Sequence, residues 1–274
     1  EIVTLQNNKS TLFNSLDFIF KFFRCKMIYR IGGINIKESF FFKNAILLGK
    51  KVVIHWIGTD VLIASKKYSE GHKINERCIN LAGSELLQKE LNQIGIKSFV
   101  IPIVPTDFSF SALNAPDKHA ILSYVPKNRE AFYNMPLIKT LANRFPDVMF
   151  HIVSNDGEND LQPVSNIKYH GNLNSDEMYS LYKECSILFR FPEHDGLSMM
   201  LLEALGYGKT VVYCYDFPYV QTPKSRTEED VIKTFENILK TPPTANKLAV
   251  DYINSEFSMD KQIQRYKNAG ILNF

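Results

Sequence analysis

Apolar positions along the chain alternate between two patterns. Mostly apolar runs at Val52–Trp56, Ser98–Ile103, His119–Val125, Val148–Val153, Leu188–Phe191 and Thr210–Tyr215 read as strands buried on both faces. Shorter strands are expected at Glu1–Gln6, Lys26–Ile31, Asn80–Ala82 and Ile167–His170. Between them, apolar residues recur at three- and four-residue spacing. This predicts helices over Phe40–Leu48, Ser84–Ile94, part of Arg129–Phe145, Ser175–Cys185, Met199–Leu205, Glu228–Leu239 and Met259–Ala269. Leu12, Leu16, Ile19, Phe20 and Phe23 make one further helical face near the start. Gly49 and Gly95 stop two helices, Gly206 and Gly208 a third, and Ser175 reads as an N-cap. Strands alternating with helices predict an α/β protein with parallel sheets covered on both faces.

The alternation breaks once. Residues 106–118 are polar, contain Pro116 and show no period, so they read as a linker. The chain then divides into a Rossmann-like unit at 1–105 and a second at 119–258, with the last helix, 259–274, packing back on the first. Two such units leave a cleft where ligands commonly bind. A length of 274 residues suits that division, and 45% apolar with 22% charged residues is ordinary for a soluble globular protein. A net charge of +3 gives no sign of a nucleic-acid partner. Cys25, Cys78, Cys185 and Cys214 are scattered in apolar runs with no C-x-x-C pair. They imply buried thiols in a reducing, cytoplasmic compartment, and no metal site. No apolar run is long enough to span a membrane, no signal peptide is recognisable, and the start at Glu1 reads as a truncated or processed chain.

Candidate chemistry concentrates in LFRFPEHDGLSMMLLEALGYGKTVV, Leu188 to Val212, a strand, a polar loop, a helix and a strand. After Gly196, the amides of Leu197, Ser198 and Met199 fall at a helix N-terminus, a ready seat for a phosphate or diphosphate. Asp195 precedes that helix and Glu203 lies eight positions on. Ionised carboxylates only accept hydrogen bonds, so such a pair suits hydroxyl groups on either side of an anion. A sugar nucleotide carries both features. The plain alternative makes Asp195 a helix cap and Glu203 a solvated helix residue. Arg190, on the strand before the loop, could pair with Asp195 or Glu193.

An acid, a glycine and a glutamate eight positions after the acid, within strand–loop–helix, resemble the donor-site motif of retaining GT-B glycosyltransferases of the family-4 type. NIKYHGNLNSDEMYSLYKECSILFR resembles that family's approach to its donor loop, and HWIGTDV (His55–Val61) a first-domain strand end. Asp195 stands where the family usually has Glu, and the first domain is short, without the usual opening strand and glycine-rich loop. The resemblance implies a GT-B fold of two Rossmann-like domains facing across a cleft. It implies transfer of a hexose-type sugar from a nucleotide diphosphate sugar to an acceptor hydroxyl, with retention, no metal and no other cofactor. The acceptor could be a glycan, a lipid-linked species or a small molecule. Other GT-B enzymes (an epimerase or phosphorylase) and a non-catalytic nucleotide- or partner-binding relative remain as alternatives. The number of subunits is not legible.

Individual roles follow from the same resemblance. Asp195 would contact the donor sugar, Glu203 the ribose, and Arg129 with Lys127 the diphosphate, whose charge grows as it departs. Ser154 follows a strand at its carboxyl end, and His170 and Gly171 lie where the family seats the base. His55 would steady the donor from the first domain, while Gly32, Gly33 and Gly58 would border the acceptor. Asp60 is expected to cap the next helix. Each of these also has a bland fate: a solvated charge, a turn, a structural histidine. Phe13, Phe18, Phe20, Phe22 and Phe23 among Lys21, Arg24 and Lys26, with Phe40, Phe41 and Phe42 nearby, fit a core helix with a basic edge or a peripheral contact with an anionic membrane.

Overall fold

The computed structural model describes residues 20–33, 39–68, 77–106, 108–158 and 160–272. The strand expected at Glu1–Gln6 and most of the first predicted helix lie outside these residues. Contacts divide the chain into two units, Glu1–Pro102 with Ala269–Ile271, and Ile103–Asn268 with Leu272–Phe274.

In the first unit, β1 (Met27–Ile31), β2 (Lys51–Trp56), β3 (Ile79–Ala82) and β4 (Phe99–Val100) form a parallel sheet in the order β1-β2-β3-β4. The helices α1 (Ser39–Leu47), α2 (Thr59–Tyr68) and α3 (Glu85–Gln93) intervene. Val52 to Trp56 is wholly buried, which is why it reads as an unbroken apolar run. The strand predicted at Ser98–Ile103 shrinks to two residues, since Pro102 and Pro105 have no N–H for a ladder. Trp56 anchors the core with Phe42, Val61, Leu87 and Leu91. A Cβ on Gly33 would sit 2.5 Å from the Trp56 ring, so that glycine answers to core packing. Asp60 does not cap forward. Its carboxylate turns back to accept the amides of Ile57 and Gly58, the latter at 2.7 Å, and ties the β2–α2 turn.

In the second unit, β5 (Ala120–Tyr124), β6 (Met149–Val153), β7 (Ile167–Tyr169), β8 (Ile187–Arg190) and β9 (Thr210–Tyr213) form a parallel sheet in the order β7-β6-β5-β8-β9. Strand order runs outward from β5 to one side and then resumes on the other with β8. The carboxyl ends of β5 and β8 therefore carry connections that depart in opposite directions, the place where open α/β sheets bind ligands. Helices α4 (Met135–Arg144), α5 (Ser175–Glu184), α6 (Met199–Gly206), α7 (Glu228–Ile238), α8 (Lys247–Glu256) and α9 (Met259–Asn268) accompany the sheet. Phe150, Phe189 and Phe235 are its largest fully buried side chains, and the rings of Phe189 and Phe235 meet edge to face at 5.3 Å.

Several details differ from the sequence expectations. The cap of α5 is Asn174, not Ser175. Asn174 accepts the Glu177 amide at 3.0 Å while the Glu177 carboxylate takes the Asn174 amide at 2.8 Å, a complete capping box. Asn174→Ala should cost about 1 kcal/mol of stability, and Ser175→Ala close to nothing, as read by urea denaturation. Equal effects would return the cap to Ser175. Helix α8 was not predicted; its buried side chains are only Ala249, Val250 and Ile253, too few and too small for a strong period. Two of the four thiols, Cys25 and Cys78, are partly exposed, while Cys185 and Cys214 are buried.

The described residues of the segment 106–118 form no helix or strand, yet they are fastened to the second unit. Asn254 accepts the amide of Phe110 and donates to its carbonyl, both at 2.8 Å. The Leu113 amide reaches the Tyr207 carbonyl at 3.1 Å. The Phe110 ring covers Gly206, where a Cβ would lie 2.5 Å from it. The division between units falls at Pro102 and Ile103, and α9 groups with the second unit, leaving only Ala269–Ile271 with the first. No helix among the described residues is long and apolar enough to cross a membrane.

Candidate functional site

The loop after β8 and the start of α6 lie at the switch point between β5 and β8. Ser198 occupies the N-cap position of α6 with extended backbone, and its side chain makes no capping bond. Among the described residues, no protein group accepts from the amides of Gly196, Leu197, Ser198, Met199 or Met200. The first turn of any helix leaves such donors over. Here the row extends two residues upstream of the cap, and no acidic residue stands in the first turn to neutralise it. Consecutive open amides at a helix N-terminus attract an anion.

Glu203 lies within α6, half-buried, and accepts the Tyr182 hydroxyl at 2.9 Å through one oxygen. Burial, with the Glu203 charge beside it, pushes the Tyr182 hydroxyl well above its ordinary pKa, so it stays a donor.

Asp195 is buried, and both its oxygens are engaged. Arg190 Nε donates to Oδ2 at 2.5 Å and Nη2 to Oδ1 at 2.9 Å, while Tyr213 Oη donates to Oδ2 at 3.2 Å. The guanidinium packs by the rings of Tyr124 and Tyr133, 5.8 and 5.6 Å from their centroids. Burial opposes its charge, but the Asp195 carboxylate more than offsets that and holds the pKa above the usual arginine value. A buried arginine in an apolar strand must have a partner; that was the signal for the pair, and it named Asp195 only as one of two choices.

The two basic candidates after β5 differ. Arg129 is exposed and lies over the Phe132 ring at 4.2 Å, with no carboxylate on it among the described residues. Lys127 donates to Asp156 at 2.8 Å and to Glu158 at 2.7 Å. Those hydrogen bonds raise its pKa, so it stays charged, with its charge offset by the two carboxylates.

The remaining candidates of this unit cluster on β6 and β7. Ser154 holds a left-handed φ of 66°. Its hydroxyl donates to Asn172 at 3.1 Å and its amide to the Gly171 carbonyl at 2.6 Å. Gly171 in turn donates to the Asn155 carbonyl at 2.8 Å. His170 Nε2 faces His151 Nδ1 at 2.9 Å with the rings stacked. Burial lowers both histidines, His151 to about 4, so the pair is neutral at physiological pH. Glu130, not singled out from the sequence, accepts from Asn155 and from the Asn128 amide and so ties the β5 and β6 loops together.

In the first unit, His55 is fully buried. Its Nε2 donates to the Ile101 carbonyl at 2.7 Å, which leaves Nδ1 to accept the Tyr29 hydroxyl at 2.5 Å. Burial lowers its pKa to about 4. The Gly32 amide donates to the His55 carbonyl at 2.8 Å, Gly33 is held under Trp56, and Gly58 is held by Asp60. Three groups on the elements that border the switch point keep bonding capacity: the open amides at the start of α6, Glu203 within α6, and Arg129 on the loop after β5. Lys127 and Asp195 stand there too, already paired.

An α/β fold with two parallel sheets of this kind is that of the GT-B glycosyltransferases, to which many solved structures similar to this chain belong. They include the lipopolysaccharide outer core galactosyltransferase WaaB (16% identity, 96% of this chain and 82% of that one, TM-score 0.65). A glycosyltransferase from Rickettsia africae has 13% identity over 98% and 83%, TM-score 0.68. The pneumococcal O-GlcNAc transferase GtfA, solved with UDP and GlcNAc, has 14% identity over 92% and 58%, TM-score 0.60. The chain therefore spans 58% of GtfA's length and 82% of WaaB's. No family model and no curated protein matches the sequence.

Proposed function

We propose that the chain is a glycosyltransferase that moves a sugar from a nucleoside diphosphate donor to an acceptor hydroxyl, with retention and without a metal. The row of open amides from Gly196 to Met200 carries this reading. The diphosphate lies on those amides, and Arg129 meets the charge that builds on it as the sugar leaves. Glu203 holds the ribose through the oxygen that Tyr182 leaves over. The joined loops after β6 and β7, with Ser154, His170 and Gly171, lie beside the base. The leaving phosphate oxygen takes the acceptor proton on the same face, so no separate base is needed. The acceptor is a hydroxyl of a glycan, a lipid-linked species or a small molecule. The cytoplasmic side of a membrane suits a lipid-linked acceptor; Phe20 and Phe23, 60% and 65% exposed beside Lys21 and Arg24, would touch it.

GtfA was solved with UDP, which makes UDP the first nucleotide to test. Calorimetry with UDP, GDP and ADP, then donor hydrolysis with and without acceptors, tests the reading. Glu203→Ala should weaken the nucleotide that binds by roughly tenfold; unchanged affinity would remove Glu203 from the site. A second reading, a nucleotide-binding relative without transferase activity, draws on Lys127 and Asp195, whose charges are already neutralised within the protein. It predicts binding with neither hydrolysis nor transfer.

A further inference from the structure

The loop after β8 is tied from outside at nearly every step. The Pro192 carbonyl accepts from Arg226, and the Cys214 thiol approaches it at 3.6 Å. The Glu193 amide donates to the Phe132 carbonyl at 2.9 Å, and the Glu193 carbonyl accepts the Tyr215 hydroxyl at 3.1 Å. Asp195 then takes the forked pair from Arg190 and the bond from Tyr213. Immediately after Asp195 these ties stop, and the open amides begin at Gly196. The last fixed point before the row is therefore the Asp195 carboxylate.

That geometry decides between two uses of Asp195. A carboxylate that reads sugar hydroxyls needs lone pairs facing the ligand and freedom to reach them. This one is buried in a bidentate contact whose partner is also buried, at 8% exposure for each residue. Withdrawing it toward a sugar would leave a guanidinium unpaired among Tyr124, Tyr133 and Tyr213, at a cost far above one sugar hydrogen bond. Its side chain is also one methylene shorter than a glutamate, which suits the short reach back to Arg190 five positions earlier.

We propose that Asp195 is a positioning residue, one end of a buried Arg190–Asp195–Tyr213 brace that sets where the open amides stand, and that its carboxylate takes no direct part in sugar recognition. The proposal rests on the donor-site reading above. Arg190 and Tyr213 then act on the donor only through the loop. Whatever selects the donor's sugar does so without the Asp195 carboxylate.

The test compares a nucleotide with its sugar derivative. UDP and UDP-glucose, GDP and GDP-mannose, and ADP and ADP-glucose are titrated calorimetrically into the full chain and into D195N, R190K and Y213F. Lysine keeps the charge of Arg190 but cannot reproduce its fork. D195N and R190K should each weaken the diphosphate and its sugar derivative by the same factor, roughly tenfold. Y213F, which removes one hydrogen bond and leaves the ion pair, should weaken both by about threefold. A loss confined to the sugar derivative in D195N would overturn the proposal and return Asp195 to the sugar. Folded variants that bind both ligands as the unmodified chain does would overturn it too, making the brace a matter of stability alone. If no pair binds the unmodified chain, the donor-site reading itself fails and the proposal falls with it.

Discussion

Arg190→Met is expected to destabilise the second unit by about 3–5 kcal/mol, because it strands a buried carboxylate without its counter-charge. The ion pair lies between β8 and the loop that follows, with Arg190 and Asp195 each 8% exposed. Only the Tyr213 hydroxyl would remain to Asp195, a single bond in place of three. The paired substitution Arg190→Met/Asp195→Leu should recover much of the loss, since matched apolar groups can replace a buried ion pair at little cost. Urea denaturation of the unmodified chain, both single variants and the double closes the cycle. A single variant costing under about 1 kcal/mol would mean that the pair is hydrated as a surface bridge is.

Acidification should unfold the first unit early. His55 is a base whose folded-state pKa, about 4, lies below its ordinary 6.5, because burial penalises the charged ring. Protons therefore bind the unfolded chain first. The stability that His55 contributes is complete above pH 6.5 and drains away as pH falls toward 4, by about 3 kcal/mol. His151, lowered in the same direction by burial, gives the second unit a slope of the same sign. His55→Gln should be less stable than the unmodified chain at pH 7, for want of the Tyr29 and Ile101 bonds, yet lose less between pH 7 and pH 4. Denaturation midpoints across that range decide it. Parallel slopes for the two proteins would mean that His55 already takes up its proton in the folded state near pH 6.5.

The strands of the second unit were legible because they are buried on both faces, so Ala120–Tyr124, Met149–Val153 and Ile187–Arg190 stand out as apolar runs. The polar loop with open amides was legible too, since Gly196 and the helical spacing of Met199 to Leu205 mark where a helix must begin. What a residue bonds to was harder to see. Ser175 looked like a cap, but Asn174 with Glu177 satisfies both donors of the turn and wins. Lys127 looked like an anion ligand; Asp156 and Glu158 reach it from the next loop, a meeting that only the β5–β6 register creates. His55 sits on a strand that the sequence located correctly, and its partners come from β1 and from the chain after β4. Segment 106–118 looked free because single aromatics docking on a surface create no period.

The fastening of that segment bears on how the second unit can be cut out and handled alone. A fragment beginning at Ile103 keeps Phe108 and Phe110 on their bed of Gly206, Tyr207 and Phe257. One beginning at His119 deletes both rings, bares Tyr207 and Phe257 beneath them to water and strips the Asn254 amide of its partners, a recipe for stickiness and poor yield. The safe place for the scissors lies upstream of the stretch that looks most like a tether.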